Sequence, residues 1–193
     1  MKRITVFCAS SSGTDEIYKE QATLLGQTLA KQNIDVVYGG SNVGLMGAVA
    51  DGALSEGGKV IGVLPNFLRA KEIAHQGLTE LILVESMHER KTKMNDLCAG
   101  VIALPGGFGT LEELFEMLTW AQVGLHKKPI AILNVNGFYD SLVELTKNMV
   151  DKGLLKSANQ EMLLVGNTID DVLYKMRNYT APTVGKWIDK NQI

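Results

Sequence analysis

Short apolar runs alternate along this chain with longer stretches whose apolar residues recur at helical spacing. The first run covers residues 4–9 and stops at Ser10, Ser11, Ser12 and Gly13. Residues 15–31 then read as a helix, with Ile17, Leu24, Leu25 and Leu29 near one face. The pairing repeats: strands over 34–38, 59–64, 80–85, 101–104, 129–135 and 162–165 alternate with helices over 44–56, 86–99, 138–151 and 169–179, and a central helix follows the fifth strand. Repetition of this kind predicts right-handed crossovers and a parallel sheet covered on both faces. The expected architecture is a doubly wound, Rossmann-like α/β fold, a single domain over residues 1–180. Two segments leave the pattern. Residues 181–193 form a tail whose Trp187 is expected to dock on the body or on a partner. Residues 66–78, with Arg69, Lys71, Glu72 and His75, read as a long loop at the carboxyl end of the third strand, either covering a ligand or simply solvated.

Composition narrows the function classes. The chain has 193 residues, 46% of them hydrophobic, with 20 glycines and 4 prolines, which suits one folded domain with a substantial core. A net charge of -2 gives no general attraction to nucleic acid or to an anionic membrane. Residues 1–3 run straight into the first strand, and no stretch of 18 apolar residues occurs, so a soluble cytoplasmic protein is expected. Cys8 and Cys98 are too few for a disulfide framework, and Cys8 reads as a small core residue rather than a nucleophile. His75, His88 and His126 lack metal-ligand spacing, so no metal is expected.

The candidate chemistry centres on residues 101–120, VIALPGGFGTLEELFEMLTW. Gly106, Gly107 and Gly109 allow a ligand close to the backbone and deliver it to a helix N-terminus, where an anion is favoured. Glu112 and Glu113 follow, placed by this reading in the first helical turn. Two readings of Glu113 stand side by side: a carboxylate that acts on the ligand, or the last member of a capping box begun by Thr110. Arg90 and Lys91 belong either to the same site or to a solvated basic face. Small-residue turns at residues 10–13 and 39–47, which include Ser10 and Gly40, are expected at the same rim as 106–110, at the carboxyl ends of strands. The G-x-G-x-x-G fingerprint is missing after the first strand, and G-x-x-x-x-G-K-[ST] is missing throughout, which argues against NAD and against P-loop ATP hydrolysis. Met117 and Trp120 lie off the stripe of Leu111, Leu114, Phe115 and Leu118. They mark either a wide core face or a dimer interface, and the dimer is preferred because the helix is apolar almost all round.

Residues 105–113, PGGFGTLEE, match the PGGxGTxxE motif of the LOG family, the cytokinin riboside 5'-monophosphate phosphoribohydrolases. The resemblance extends to Tyr38-Gly39-Gly40, Gly44-Leu45-Met46-Gly47, Met87-His88-Glu89-Arg90-Lys91, Trp120-Ala121-Gln122 and residues 124–128, and it runs from the first strand to about Tyr179. It implies a homodimeric Rossmann-like enzyme that hydrolyses the N-glycosidic bond of N6-modified AMP and needs no cofactor. It further implies Arg90 and Glu113 as the catalytic pair. Glu72, Lys91, Gly106, Gly107, Phe108, Gly109, Thr110, Leu111, Glu112 and Thr119 become nucleotide contacts by the same resemblance. Some members carry the label lysine decarboxylase; that chemistry requires a Schiff-base lysine, and no lysine here stands in a recognisable context for one. The residues agree with the hydrolase: an ionised carboxylate can stabilise an oxocarbenium-like centre and position water, whereas an arginine stays protonated. AMP salvage and non-catalytic nucleotide binding remain alternatives.

Overall fold

Seven strands make the frame: β1 (Arg3–Phe7), β2 (Asp35–Tyr38), β3 (Val60–Pro65), β4 (Glu80–Val84), β5 (Val101–Ala103), β6 (Ile130–Leu133) and β7 (Leu163–Gly166). The computed structural model describes residues 1–68 and 74–183. All seven strands form one sheet in the order β4-β3-β2-β1-β5-β6-β7, and every adjacent pair is parallel. The chain thus winds outward from β1 to β4, crosses back over β1, and winds the other way from β5 to β7. That is the doubly wound fold expected from the strand and helix repeat.

Strand side chains alternate between two cores, as a period of two requires. Ile4, Val6, Val36, Tyr38, Ile102 and Leu104 pack beneath α1 (Ile17–Lys31), α2 (Gly44–Ser55) and α7 (Ile169–Arg177). Phe7, Val37, Val101, Ala103, Ile130 and Ile132 face α3 (Met87–Leu97), α4 (Phe108–Gln122) and α5 (Asp140–Asp151). Thr5 is the buried polar residue of β1, and its Oγ1 donates to the Met94 carbonyl at 3.1 Å. A short α6 (Ser157–Gln160) precedes β7, an element too brief to show periodicity in sequence.

Three expectations need correction. The central helix α4 starts at Phe108, with Gly107 as its N-cap, so Thr110 lies inside the helix and Glu113 in its second turn; no acidic residue occupies the first. Glycines that look like a turn in sequence supply the cap and the first turn themselves. Met117 and Trp120 are only 2% and 6% exposed within the single chain, so its own core accounts for the apolar breadth of α4 and they give no sign of a dimer. The helix expected from residue 138 begins at Asp140, because Asn134 directs the chain through a short 3-10 turn first. There the Asn134 side chain accepts from Tyr139 N at 2.7 Å and donates to Asp140 Oδ1 at 2.7 Å. Glu72, Arg69, Lys71 and the tail from residue 184, including Trp187, lie outside the described residues.

Candidate active site

Because the winding reverses between β1 and β5, the loops after these two strands diverge and leave a crevice at their carboxyl ends. A cavity of about 400 Å³ occupies it, lined by Cys8 to Ser11 from the first loop, Gly107 to Thr110 from the second, and Arg90, Glu112 and Glu113. A larger hollow of about 650 Å³ lies between α1 and the loops after β6 and β7, but among the described residues its lining holds Asp15 and Asp170 and no basic group. Its carboxylates disfavour an anion, and the smaller cavity, which holds Arg90, is the candidate site.

The β5 loop is fixed from below. Leu104 is fully buried, and its carbonyl accepts the Tyr139 hydroxyl at 2.6 Å. A side chain on Gly106 would collide with Thr110, which is itself 4% exposed. Gly107 and Gly109 are different. A Cβ at either would meet no atom within 4 Å, and neither has a positive φ. Neither the backbone conformation nor the packing of the chain therefore requires glycine there; the missing side chains leave open approach to the first turn of α4. That helix end has no side-chain cap, which suits it to an anionic group.

The turn at residues 39–47 behaves otherwise. Gly44, at φ +60, lies so close to Ser10 that a Cβ would fall on the Ser10 backbone. The close approach lets Leu45 N and Met46 N donate to the Ala9 carbonyl at 3.1 and 3.3 Å, and Leu45 N also approaches Ser11 O at 3.4 Å. The N-terminus of α2 is thus committed to the β1 loop. Gly40 is buried, its carbonyl accepts from His75 N at 3.0 Å, and it does not line the cavity. Met46 does.

Arg90 comes from α3, whose start is capped by Ser86 Oγ accepting from Glu89 N at 3.1 Å. Its guanidinium is buried: Nε donates to the Val63 carbonyl at 3.2 Å, and Nη1 lies 3.9 Å from Met87 Sδ and 3.3 Å from Glu113 Oε1. Glu113 is 8% exposed and its carboxylate pairs with Arg90 in the cavity wall; with Gly107 rather than Thr110 as the N-cap, it is not the last member of a capping box begun by Thr110. Lys91, one residue on, points elsewhere. Its Nζ sits 2.5 Å from Glu112 Oε1 and 3.0 Å from Glu116 Oε1. Burial opposes its charge, but the hydrogen bonds to Glu112 and Glu116 prevail and hold the ammonium above its usual range.

Of the residues expected in the site, Ser10, Arg90, Gly107, Phe108, Gly109, Thr110, Glu112 and Glu113 come together around the cavity. Leu111 packs against the core, and Thr119 faces solvent with its hydroxyl donating to the Phe115 carbonyl at 2.7 Å. Both follow from helical geometry, since Leu111 and Thr119 lie on other faces of α4 than Glu113. Cys8 is a buried core residue, as it reads in sequence, and also lines the cavity wall. Burial, then the charge of Glu113, raises its thiol well above the ordinary range, with Arg90 opposing weakly. Ser11 and Met46 come from the small-residue turns 10–13 and 39–47 expected at this rim, whereas the Val63 carbonyl was missed. Among the described residues no His, Cys, Asp and Glu cluster could hold a metal ion.

A family model described as "Possible lysine decarboxylase" matches residues 46–176. The chain is 43% identical over 181 residues to a probable cytokinin riboside 5'-monophosphate phosphoribohydrolase of Oryza sativa subsp. japonica, covering 94% of this chain and 74% of the relative. It is 42% identical over 178 residues to a cytokinin riboside 5'-monophosphate phosphoribohydrolase of Arabidopsis thaliana, covering 92% and 84%. The chain belongs to the LOG family. The LOG fold is shared more widely: the molybdenum cofactor carrier protein of Chlamydomonas reinhardtii superposes with a TM-score of 0.69 at 21% identity, covering 91% of this chain and 95% of its own. At that identity the likeness concerns the fold alone. Among the described residues of this LOG family member, no helix is long and apolar enough to cross a membrane.

Proposed function

We infer that this LOG family protein hydrolyses the N-glycosidic bond of a cytokinin riboside 5'-monophosphate, an N6-substituted AMP, to the free base and ribose 5-phosphate. The observation that carries the reading is one cavity holding both the uncapped end of α4 and the buried Arg90–Glu113 pair. Relatives more than 40% identical are named for this reaction, which supports the same conclusion.

In this proposal the 5'-phosphate rests on the backbone N–H groups at the start of α4, in the space left by Gly107 and Gly109. Binding energy at that remote end orients the ribose over Glu113. As the bond to the base lengthens, the Glu113 carboxylate stabilises the positive charge on the sugar and orients the attacking water. Overall the water hydroxyl goes to C1′, the C1′–N bond breaks with its electron pair on the base, and the base gains the proton. Arg90, always protonated, holds the carboxylate and offsets its charge. Ser10, Phe108, Thr110 and Glu112 complete the walls. Lys91, Glu72, Gly106, Leu111 and Thr119 belong to the proposed contacts by resemblance only, and Gly40 by its place in a small-residue turn.

A decarboxylase would need a Schiff-base lysine. No lysine is among the described lining residues, and Lys91 is engaged by Glu112 and Glu116. Incubation with N6-isopentenyl-AMP and with AMP tests the proposal and ranks the two substrates. Free base and ribose 5-phosphate are the expected products, and release from neither nucleotide sinks the reading. The proposal includes a homodimer, on the resemblance and on Phe108, which is 94% exposed at the start of α4; light scattering after gel filtration checks it. A cytoplasmic setting belongs to the same reading, in keeping with two free, buried cysteines.

A further inference from the structure

Gly39 follows β2 and lies against Arg90 and Met46, two residues of the cavity lining. It is buried, yet unlike Gly40 at φ +84 it has no positive φ, so its backbone would accept an L side chain. Space is what excludes one. A Cβ on Gly39 would fall on Arg90 Nη2, 2.9 Å from Met46 Sδ and 3.5 Å from Arg90 Cζ. These nearest atoms belong to the far ends of two long side chains, and none is backbone. A methyl group here would therefore leave the sheet intact and expel the guanidinium. The other sides of that guanidinium are already defined: Val63 O takes Nε, while Met87 Sδ and Glu113 Oε1 flank Nη1.

We propose that Gly39 is a positioning residue for the reaction: its missing side chain is the seat of Arg90 Nη2 and holds the guanidinium against Glu113. The kinetic consequences rest on the phosphoribohydrolase reading, whereas the seat itself does not. Displacing an oriented group by about 1 Å can cost on the order of 100-fold in rate.

The test is Gly39→Ala, alone and combined with Arg90→Ala. With N6-isopentenyl-AMP, kcat falls by about 100-fold while KM changes by less than about 3-fold, and Tm stays within a few degrees of wild type. In the Arg90→Ala background the same substitution changes kcat by less than about 2-fold, because the group it displaces is gone. A crystal structure of Gly39→Ala shows the guanidinium withdrawn from the Val63 carbonyl and Glu113. Wild-type kcat in Gly39→Ala, an equal loss with and without Arg90, or an unmoved guanidinium overturns the inference. If Gly39→Ala fails to fold, the double variant decides: folding restored by removing Arg90 supports the seat, and no restoration refutes it. A wild-type protein that releases no base sinks the proposed function, and the crystal structure still decides the role of Gly39.

Discussion

Arg90 Nη1 lies 3.3 Å from Glu113 Oε1, with the two side chains 9% and 10% exposed. A charge pair this deep is a costly arrangement unless it is put to use, since desolvation offsets much of the Coulombic gain.

Replacing Glu113 by Gln keeps the shape of that pair and removes the carboxylate. We expect kcat to drop by about 100- to 10,000-fold while the affinity for ribose 5-phosphate changes by less than about 5-fold. Stopped assays for free base, with calorimetric titration of the sugar phosphate, separate the two. Turnover that survives in Glu113→Gln removes Glu113 from the mechanism and leaves a different catalyst to be found.

Cys8 sits in the cavity wall as a protonated thiol, because burial and then Glu113 raise its pKa. At pH 8 folded Cys8 should therefore resist iodoacetamide, Cys98 should be shielded by its burial, and both should react after unfolding in guanidinium. Mass spectrometry counts the adducts. Rapid alkylation of Cys8 in the folded state would contradict the raised pKa.

His126 is held down at about 4 by burial first and by Lys128 second, with a backbone hydrogen bond to Met117 opposing. Folded His126 is thus neutral where the unfolded chain, near 6.5, already binds a proton. Stability falls as pH drops from about 6.5 to 4, by on the order of 2 kcal/mol after discounting for partial exposure. Thermal melts across this range should show a shallower loss for His126→Gln than for wild type. Parallel curves would assign the slope to other groups.

Two buried tyrosines make opposite predictions. Tyr139→Phe leaves the Leu104 carbonyl without its 2.6 Å partner and should cost about 1–2 kcal/mol, a loss of a few degrees in Tm. Among the described residues the Tyr38 hydroxyl has no hydrogen-bond partner, so Tyr38→Phe should be neutral or stabilising. Chemical denaturation of both variants checks the contrast, and equal losses would refute it.

What the sequence discloses about this protein divides along physical lines. Strands such as 34–38 and helices such as 15–31 are legible because apolar periodicity is local, and their alternation carries the sheet topology with it. The start of α4 is misread because glycines resemble a turn wherever they stand, and only the fold makes Gly107 a cap. Glu113 is legible as a candidate from its motif, but its choice between cap and site depends on Arg90, 23 positions earlier and on another helix. Lys91 reads as an anion ligand from its charge alone. Glu112 and Glu116 reach it only because α3 and α4 lie side by side. Gly39 and Tyr139 act through space, on Arg90 and on Leu104, and nothing in their neighbouring residues announces it.

The bonds from Leu45 N and Met46 N to Ala9 O have a thermodynamic consequence. They tie the Ser10 and Ser11 side of the cavity to α2 before any ligand arrives. Recognition on that side then needs little loop ordering, and the entropic cost that a slack loop adds to association is avoided there. The same bonds engage the positive end of α2, whereas the end of α4 that lines the cavity carries no side-chain cap. An anionic group entering the crevice is favoured at the α4 end of the cavity.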